Sequence, residues 1–96
     1  MKIGFIYILA SKIYGTIYIG VTDNIVRRIH EHKHDLREGF TRRYQLHRLV
    51  YYEIFSGIEL AIQREKQLNN WRRSWKINLI EQKNPEWKDL SKEIKL

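Results

Sequence analysis

Tyr18-Ile19-Gly20-Val21-Thr22-Asp23-Asn24-Ile25-Val26-Arg27-Arg28-Ile29-His30-Glu31-His32 is the stretch whose reading decides the fold. It runs as a strand into a helix through a polar turn. Tyr18-Ile19-Gly20 ends the strand. Thr22, Asp23 and Asn24 are all good helix N-caps, because each side-chain oxygen can accept from a free backbone N–H of the first turn. The helix then carries Ile25, Arg28, Ile29, His32 and Leu36 on one face. An inward face that alternates isoleucine with arginine and histidine is costly unless something anionic meets the cation.

Upstream, Ile3 to Ala10 is apolar at almost every position and rich in β-formers, which reads as a strand covered on both faces. Ser11 to Gly15 is a turn, and Thr16 to Val21 is a second strand, so the two form an antiparallel hairpin. With Ser11 opposite Thr16, Tyr7 falls opposite Gly20 and Tyr18 opposite Leu9. The two tyrosines are then diagonal neighbours on one face, and a one-residue slip would separate them.

Downstream, the first helix is expected over 25–37. Gly39-Phe40-Thr41-Arg42-Arg43-Tyr44 reads as a basic, aromatic loop, and Leu49 to Phe55 as a third strand. Ser56 with Glu59 forms a capping box that opens a second helix with Ile58, Ala61, Ile62, Glu65 and Leu68 in line. Asn69-Asn70 breaks that pattern and caps a third helix with Trp71, Trp75 and Leu79 in line. Asn84-Pro85 ends it, since a residue before proline avoids helical dihedrals. Glu86 to Leu96 is a charged tail with Trp87 and Leu90 as docking points. The order ββα-β-αα implies an α+β domain, a small three-stranded antiparallel sheet flanked by helices. One domain is expected over residues 1–90, with a charged C-terminal tail at 91–96.

Ninety-six residues hold a modest core, and a formal net charge of +7 favours a polyanionic partner, nucleic acid before an anionic membrane. The absence of cysteine excludes disulfides, thiolate zinc sites and cysteine nucleophiles. No apolar run is long enough to span a membrane, so the expectation is a cytoplasmic protein with no membrane partner. His30, His32, His34 and His47 have no spacing that gives a convincing zinc set.

Three residues stand out chemically. Arg28 shares its face with isoleucines. Glu65 lies on the apolar stripe of the second helix, where a boundary position with a wet carboxylate is the ordinary explanation and a metal ligand the functional one. His32, one turn beyond Arg28, is either a half-buried hydrogen-bonding group or a proton shuttle or phosphate contact. Arg27, Lys33, Arg37, Arg42, Arg43 and Arg48 form a basic face around the first helix and its loop. Interleaved Phe40 and Tyr44 tilt that face toward nucleic acid, with bases stacking on rings and arginines on phosphates. The nucleic-acid set is therefore Arg27, Lys33, Arg37, Phe40, Arg42, Arg43 and Tyr44. Arg64, Lys66, Arg72, Arg73 and Lys76 extend the same basic character. Tyr51 and Tyr52 read as core aromatics.

Phe5-Ile6-Tyr7, then ten residues, then Tyr18-Ile19-Gly20, resembles the paired tripeptides of the GIY-YIG nuclease family. Arg28 matches that family's helix arginine, His32 its histidine-or-tyrosine position, and Glu65 its metal-binding glutamate. Gly39-Phe40-Thr41, Leu49 to Glu53 and Asn84 to Trp87 resemble the small stand-alone bacterial branch, related to the nuclease domains of excision repair and intron homing. Phe5 stands where the namesake glycine would be, and Gly4, one residue early, should face the other way.

The resemblance implies a metal-dependent endonuclease that hydrolyses DNA phosphodiesters, possible in repair or recombination, with one divalent ion, Mg²⁺ or Mn²⁺. Tyr7, Tyr18, Arg28, His32 and Glu65 would be its catalytic set and Glu65 its metal ligand. Tyr18 is the expected base and Tyr7 its supporting hydrogen-bond partner, with His32 as an alternative proton acceptor. An unperturbed phenol is ionised only about once in a thousand at pH 7, so a phenolic base needs cations nearby. The partner would be DNA, whether single-stranded, branched or duplex. No residues are left over for a targeting domain, which points to loose sequence preference, recognition of structure, or a targeting partner protein. Two other classes compete: a non-catalytic nucleic-acid-binding module that retains the fold, and a basic protein-interaction domain. The first would bind DNA without cleaving it, and the second would show no salt-sensitive DNA binding.

Overall fold

A computed structural model describes residues 3–36 and 39–94 of the chain. Strands β1 (Gly4–Ala10) and β2 (Ile17–Thr22) precede helix α1 (Ile25–Lys33) and a one-turn helix α2 (Phe40–Arg43). Strand β3 (Arg48–Phe55), helices α3 (Ile58–Asn69) and α4 (Arg73–Lys83), and a 3-10 turn over Leu90–Glu93 complete the order. The sheet is antiparallel with strand order β2-β1-β3. This is the α+β architecture expected from the sequence.

Central placement explains the uniformly apolar first strand, since all of Gly4–Ala10 is buried. Its side chains alternate between two cores. Ile6, Ile8 and Ala10 pack with Ile19, Ala61, Leu68, Ile80 and Trp87 beneath α3 and α4. Phe5, Tyr7 and Leu9 pack with Ile25, Ile29, Leu46 and Leu49 beneath α1. Between β1 and β3, Ile8 faces Tyr51 but Leu9 faces Leu49, so Val50 is an extra residue, a β-bulge. The bulge lets Leu49 serve the α1 core while Val50 and Tyr51 both serve the other.

The hairpin register matches the expected one: Tyr7 opposite Gly20, Leu9 opposite Tyr18, with Ser11 N donating to Thr16 O at 3.0 Å. Gly4 does face away from Tyr7. A Cβ there would sit 2.9 Å from Ile58 Cα, so glycine lets the first turn of α3 lie directly on the strand. Phe5 fills the α1 core instead.

Four local expectations need correction. Helix α1 stops at Lys33, and Asp35 with φ of 52° turns the chain away, leaving Leu36 63% exposed rather than on the inward face. Arg37 lies outside the described residues. Ser56 does not cap α3. Gly57 takes the N-cap in extended backbone with no side-chain cap bond. Asn69 and Asn70 finish α3 rather than start α4, which begins at Arg73. Finally, the expected loop at 39–44 contains the α2 turn.

Asn84 ends α4 and is itself buried. Its Nδ2 donates to Val50 O at 3.1 Å and Lys88 O at 2.8 Å, and its Oδ1 accepts from Lys88 N at 2.9 Å. Trp87 is fully buried, whereas Trp75 is 49% exposed. Leu90, which opens the 3-10 turn, and Ile94 just after it pack against the α1 core, partly buried. No helix of the described residues is long and apolar enough to cross a membrane.

Candidate active site

The site begins with a missing side chain. A Cβ on Gly20 would lie 2.5 Å from both Cζ and Oη of Tyr7 and 2.8 Å from Cε2 of Tyr18. The Tyr7 ring therefore lies across the β2 backbone in space that only glycine leaves open. The diagonal register puts the Tyr7 and Tyr18 ring centroids 6.2 Å apart. Tyr7 is fully buried, while Tyr18 is partly exposed on the edge strand.

Helix α1 delivers His32 to this pair. Asn24 Oδ1 caps the helix by accepting from Arg27 N at 3.1 Å, and Thr22 Oγ1 in turn accepts from Asn24 N at 3.1 Å. Of the three candidate caps, Asn24 does the work. Ile25, Ile29 and His32 then face inward. The His32 ring is 5.8 Å from Tyr7 and 6.3 Å from Tyr18. Tyr7 Oη and His32 Nε2 are hydrogen-bonded at 3.3 Å, and His32 Nδ1 and Thr41 Oγ1 at 2.8 Å. Arg28 lies one helical turn before His32 on the same face. Its side chain is 20% exposed, and its buried Nε stands 3.2 Å from Glu31 Oε1, outside hydrogen-bond geometry.

Beside Tyr18 opens a cavity of about 430 Å³ lined by Ile17, Tyr18, Ile19, Phe40, Glu65, Asn69 and Lys76. The edge of β2 forms one wall and α3 and α4 the other. Phe40 stacks on Tyr18 at 6.1 Å and meets Tyr44 at 4.7 Å. It also lines a second hollow with Gly39, Arg42, Arg43 and Tyr44, so the aromatic, basic surface continues from the mouth of the cavity. Glu65 Oε2 accepts from Asn69 Nδ2, and its Oε1 has no hydrogen bond among the described residues.

This donor set fits a hard divalent cation in one specific way. No group of three metal-ligating side chains exists among the described residues. A single carboxylate with a free oxygen, open to solvent, suits an ion such as Mg²⁺ that keeps most of its shell as water and phosphate oxygens.

The structure brings Tyr7, Tyr18, His32, Phe40 and Glu65 around one region. Arg27, Arg42 and Arg43 are exposed, with Arg43 over the Tyr44 ring. Lys33 points elsewhere: its Nζ is held by Asp89 at 2.5 Å and His47 O at 2.9 Å. Arg64 is committed to Glu53 at 2.9 Å, and Arg73 to the carbonyls of Tyr14 and Gly15. The contacts of Gly20, Thr41 and Asn69 with Tyr7, His32 and Glu65 were not read from the sequence. Gly20 was findable, because the hairpin register already set it against Tyr7.

A tyrosine pair on a hairpin, a histidine on the next helix and a glutamate on the wall of the adjoining cavity make up one candidate site. The family model of the GIY-YIG catalytic domain matches residues 3–78, and the chain belongs to that family. It is 33% identical to a UPF0213 protein of Clostridium perfringens, over 96% of this chain and 98% of that one. It is 30% identical to a UPF0213 protein of Staphylococcus haemolyticus, over 82% of this chain and 95% of the relative. For a UPF0213 protein of Staphylococcus saprophyticus the identity is 32%, over 79% and 92%. These are small bacterial relatives built on this domain. No solved structure matches the chain significantly.

Proposed function

We propose that this protein is a metal-dependent endonuclease that hydrolyses DNA phosphodiester bonds, acting in the cytoplasm in repair or recombination. The observation that carries this reading is that Tyr18 and Glu65 line one cavity, with Tyr7 and His32 directly behind Tyr18. A binding module has no need of a carboxylate in a cleft meant for phosphates, where it repels the ligand unless a cation intervenes.

In this reading the Tyr18 hydroxyl, at the cavity wall, orients the attacking water and takes its proton. Tyr7, anchored by His32, supports Tyr18 from behind. Arg28 and Lys76 supply positive charge for the phosphate as its charge redistributes. Glu65 would hold Mg²⁺ or Mn²⁺, whose chemistry when bound is Lewis-acid stabilisation of the leaving 3′ oxygen. Phe40 and Tyr44 offer stacking faces and Arg42 and Arg43 phosphate contacts, with Arg27 at the margin. Selection among single-stranded, branched and duplex DNA rests on that surface or on a targeting partner protein.

The test is cleavage of labelled single-stranded, duplex and flapped DNA in Mg²⁺, Mn²⁺ or EDTA. Cleavage of at least one substrate with either ion and none in EDTA is expected. Salt-dependent binding with no cleavage of any substrate would replace this reading with a non-catalytic binding module.

A further inference from the structure

The nuclease reading uses Tyr7 and His32 but leaves Thr41 unexplained. Thr41 is 7% exposed in the short helix α2, on a segment otherwise turned to solvent. Its hydroxyl lies 2.8 Å from Nδ1 of His32, which is itself 6% exposed. The other ring nitrogen, Nε2, lies 3.3 Å from Oη of the fully buried Tyr7. Thr41, His32 and Tyr7 thus form a buried chain from α2 through α1 to the central strand.

A neutral imidazole has one N–H and one lone pair, so the partner of one nitrogen decides what the other can do. Of the two groups facing each other at Nε2, phenol is the stronger acid and imidazole the stronger base. The favoured arrangement has the Tyr7 O–H donating to Nε2. That requires the proton on Nδ1, and the Thr41 oxygen is placed to accept it.

We propose that Thr41 is a positioning residue for the reaction: it accepts from Nδ1–H, locks His32 in that tautomer, and so makes Nε2 the acceptor of the Tyr7 hydroxyl proton. With its proton committed to His32, Tyr7 Oη keeps only lone pairs for any other donor, as a support behind a proton-accepting Tyr18 should. The same threonine ties α2, which carries Phe40 and Arg42, to the catalytic helix. The reaction role rests on the nuclease reading, whereas the tautomer does not.

The experiment is long-range ¹H–¹⁵N correlation of the histidine rings in the whole protein without DNA or metal, with His32→Gln assigning the signal. His32 should carry its proton on Nδ1, the less common tautomer of free neutral histidine. Thr41→Val, which keeps the shape and removes the acceptor, should shift it toward Nε2–H, and Thr41→Ser should restore Nδ1–H. In the cleavage assay Thr41→Val should lose on the order of 10- to 100-fold in kcat with KM little changed, and Thr41→Ser should recover most of it. An Nε2–H tautomer in the parent would overturn the proposal, and that spectrum decides even if the valine variant does not fold. An unchanged tautomer in a folded Thr41→Val would overturn it as well. A parent that cleaves nothing defeats the nuclease reading and leaves the tautomer result standing.

Discussion

Gly20→Ala is the smallest change that should disable the site. The added methyl would stand 2.5 Å from Cζ and Oη of Tyr7. Ordinary contact is about 3.5 Å, so roughly 1 Å must be found. Tyr7 cannot yield it freely, because its ring is fully buried and its hydroxyl is bonded to His32. Tyr18 closes the other side, with Cε2 at 2.8 Å. Overpacking of this kind costs about 1–3 kcal/mol. For a domain of this size that lowers Tm by roughly 4–8 °C per kcal/mol. A displacement of about 1 Å at reacting groups costs on the order of 100-fold in rate. The assays are thermal unfolding and single-turnover cleavage of a labelled DNA. The alanine variant should lose both stability and most of its rate while still binding DNA. A variant as stable and as active as the parent would refute the claim that Tyr7 occupies the space above Gly20.

Three further outcomes follow from the contacts. Asn84→Ala removes three hydrogen bonds from a buried site and should cost about 2–3 kcal/mol in urea unfolding, with cleavage by the folded fraction unchanged. Burial pushes the Asp89 carboxyl up, but Lys33 and the N–H groups of Ser91 and Leu49 more than offset it and hold it below the usual carboxylate value. A carboxyl lowered in the folded state adds stability above the unfolded pKa, near 4, and loses it as pH falls through the folded value. Denaturation midpoints should therefore drop below about pH 4, and Asp89→Asn should flatten that drop. Arg42→Ala with Arg43→Ala should weaken DNA binding and reduce the salt slope of log K by about 1.4 to 1.8, with fluorescence anisotropy as the readout.

The hairpin was legible because its two strands carry a complete register between them, with a short loop and one good pairing. The tyrosine pair came with it. Termini of helices were less legible because rival signals are equally local. Ser56 and Glu59 satisfy the capping-box spacing, yet Gly57 begins the helix, since Gly4 on the strand beneath lets the backbone come within contact there. Asn69 reads as a breaker but ends α3 with its amide on Glu65, a contact that propensity does not record. The apolar period of α1 runs on to Leu36, while Asp35 in left-handed backbone takes that residue off the face. The bulge at Val50 and the Thr41–His32 contact depend on strands and helices distant in sequence, and no local pattern announces them. Basic residues were easy to find and hard to sort. Arg43 is exposed over the Tyr44 ring, but Lys33, Arg64 and Arg73 are spent on Asp89, Glu53 and the hairpin loop.

In the proposed function, a phosphodiester is cut in the cavity shared by Tyr18 and Glu65. The most direct measurement is the single-turnover rate of Tyr18→Phe and Glu65→Ala beside the parent, in Mg²⁺ or Mn²⁺, at DNA concentrations where binding is shown to be saturated. Tyr18→Phe keeps the ring and removes only the hydroxyl, so both variants should fold and bind while cleavage falls by at least about 100-fold, the scale of a lost acid–base or metal-binding group. Cleavage at the parental rate by either folded variant would contradict the claim and move the reaction away from this cavity.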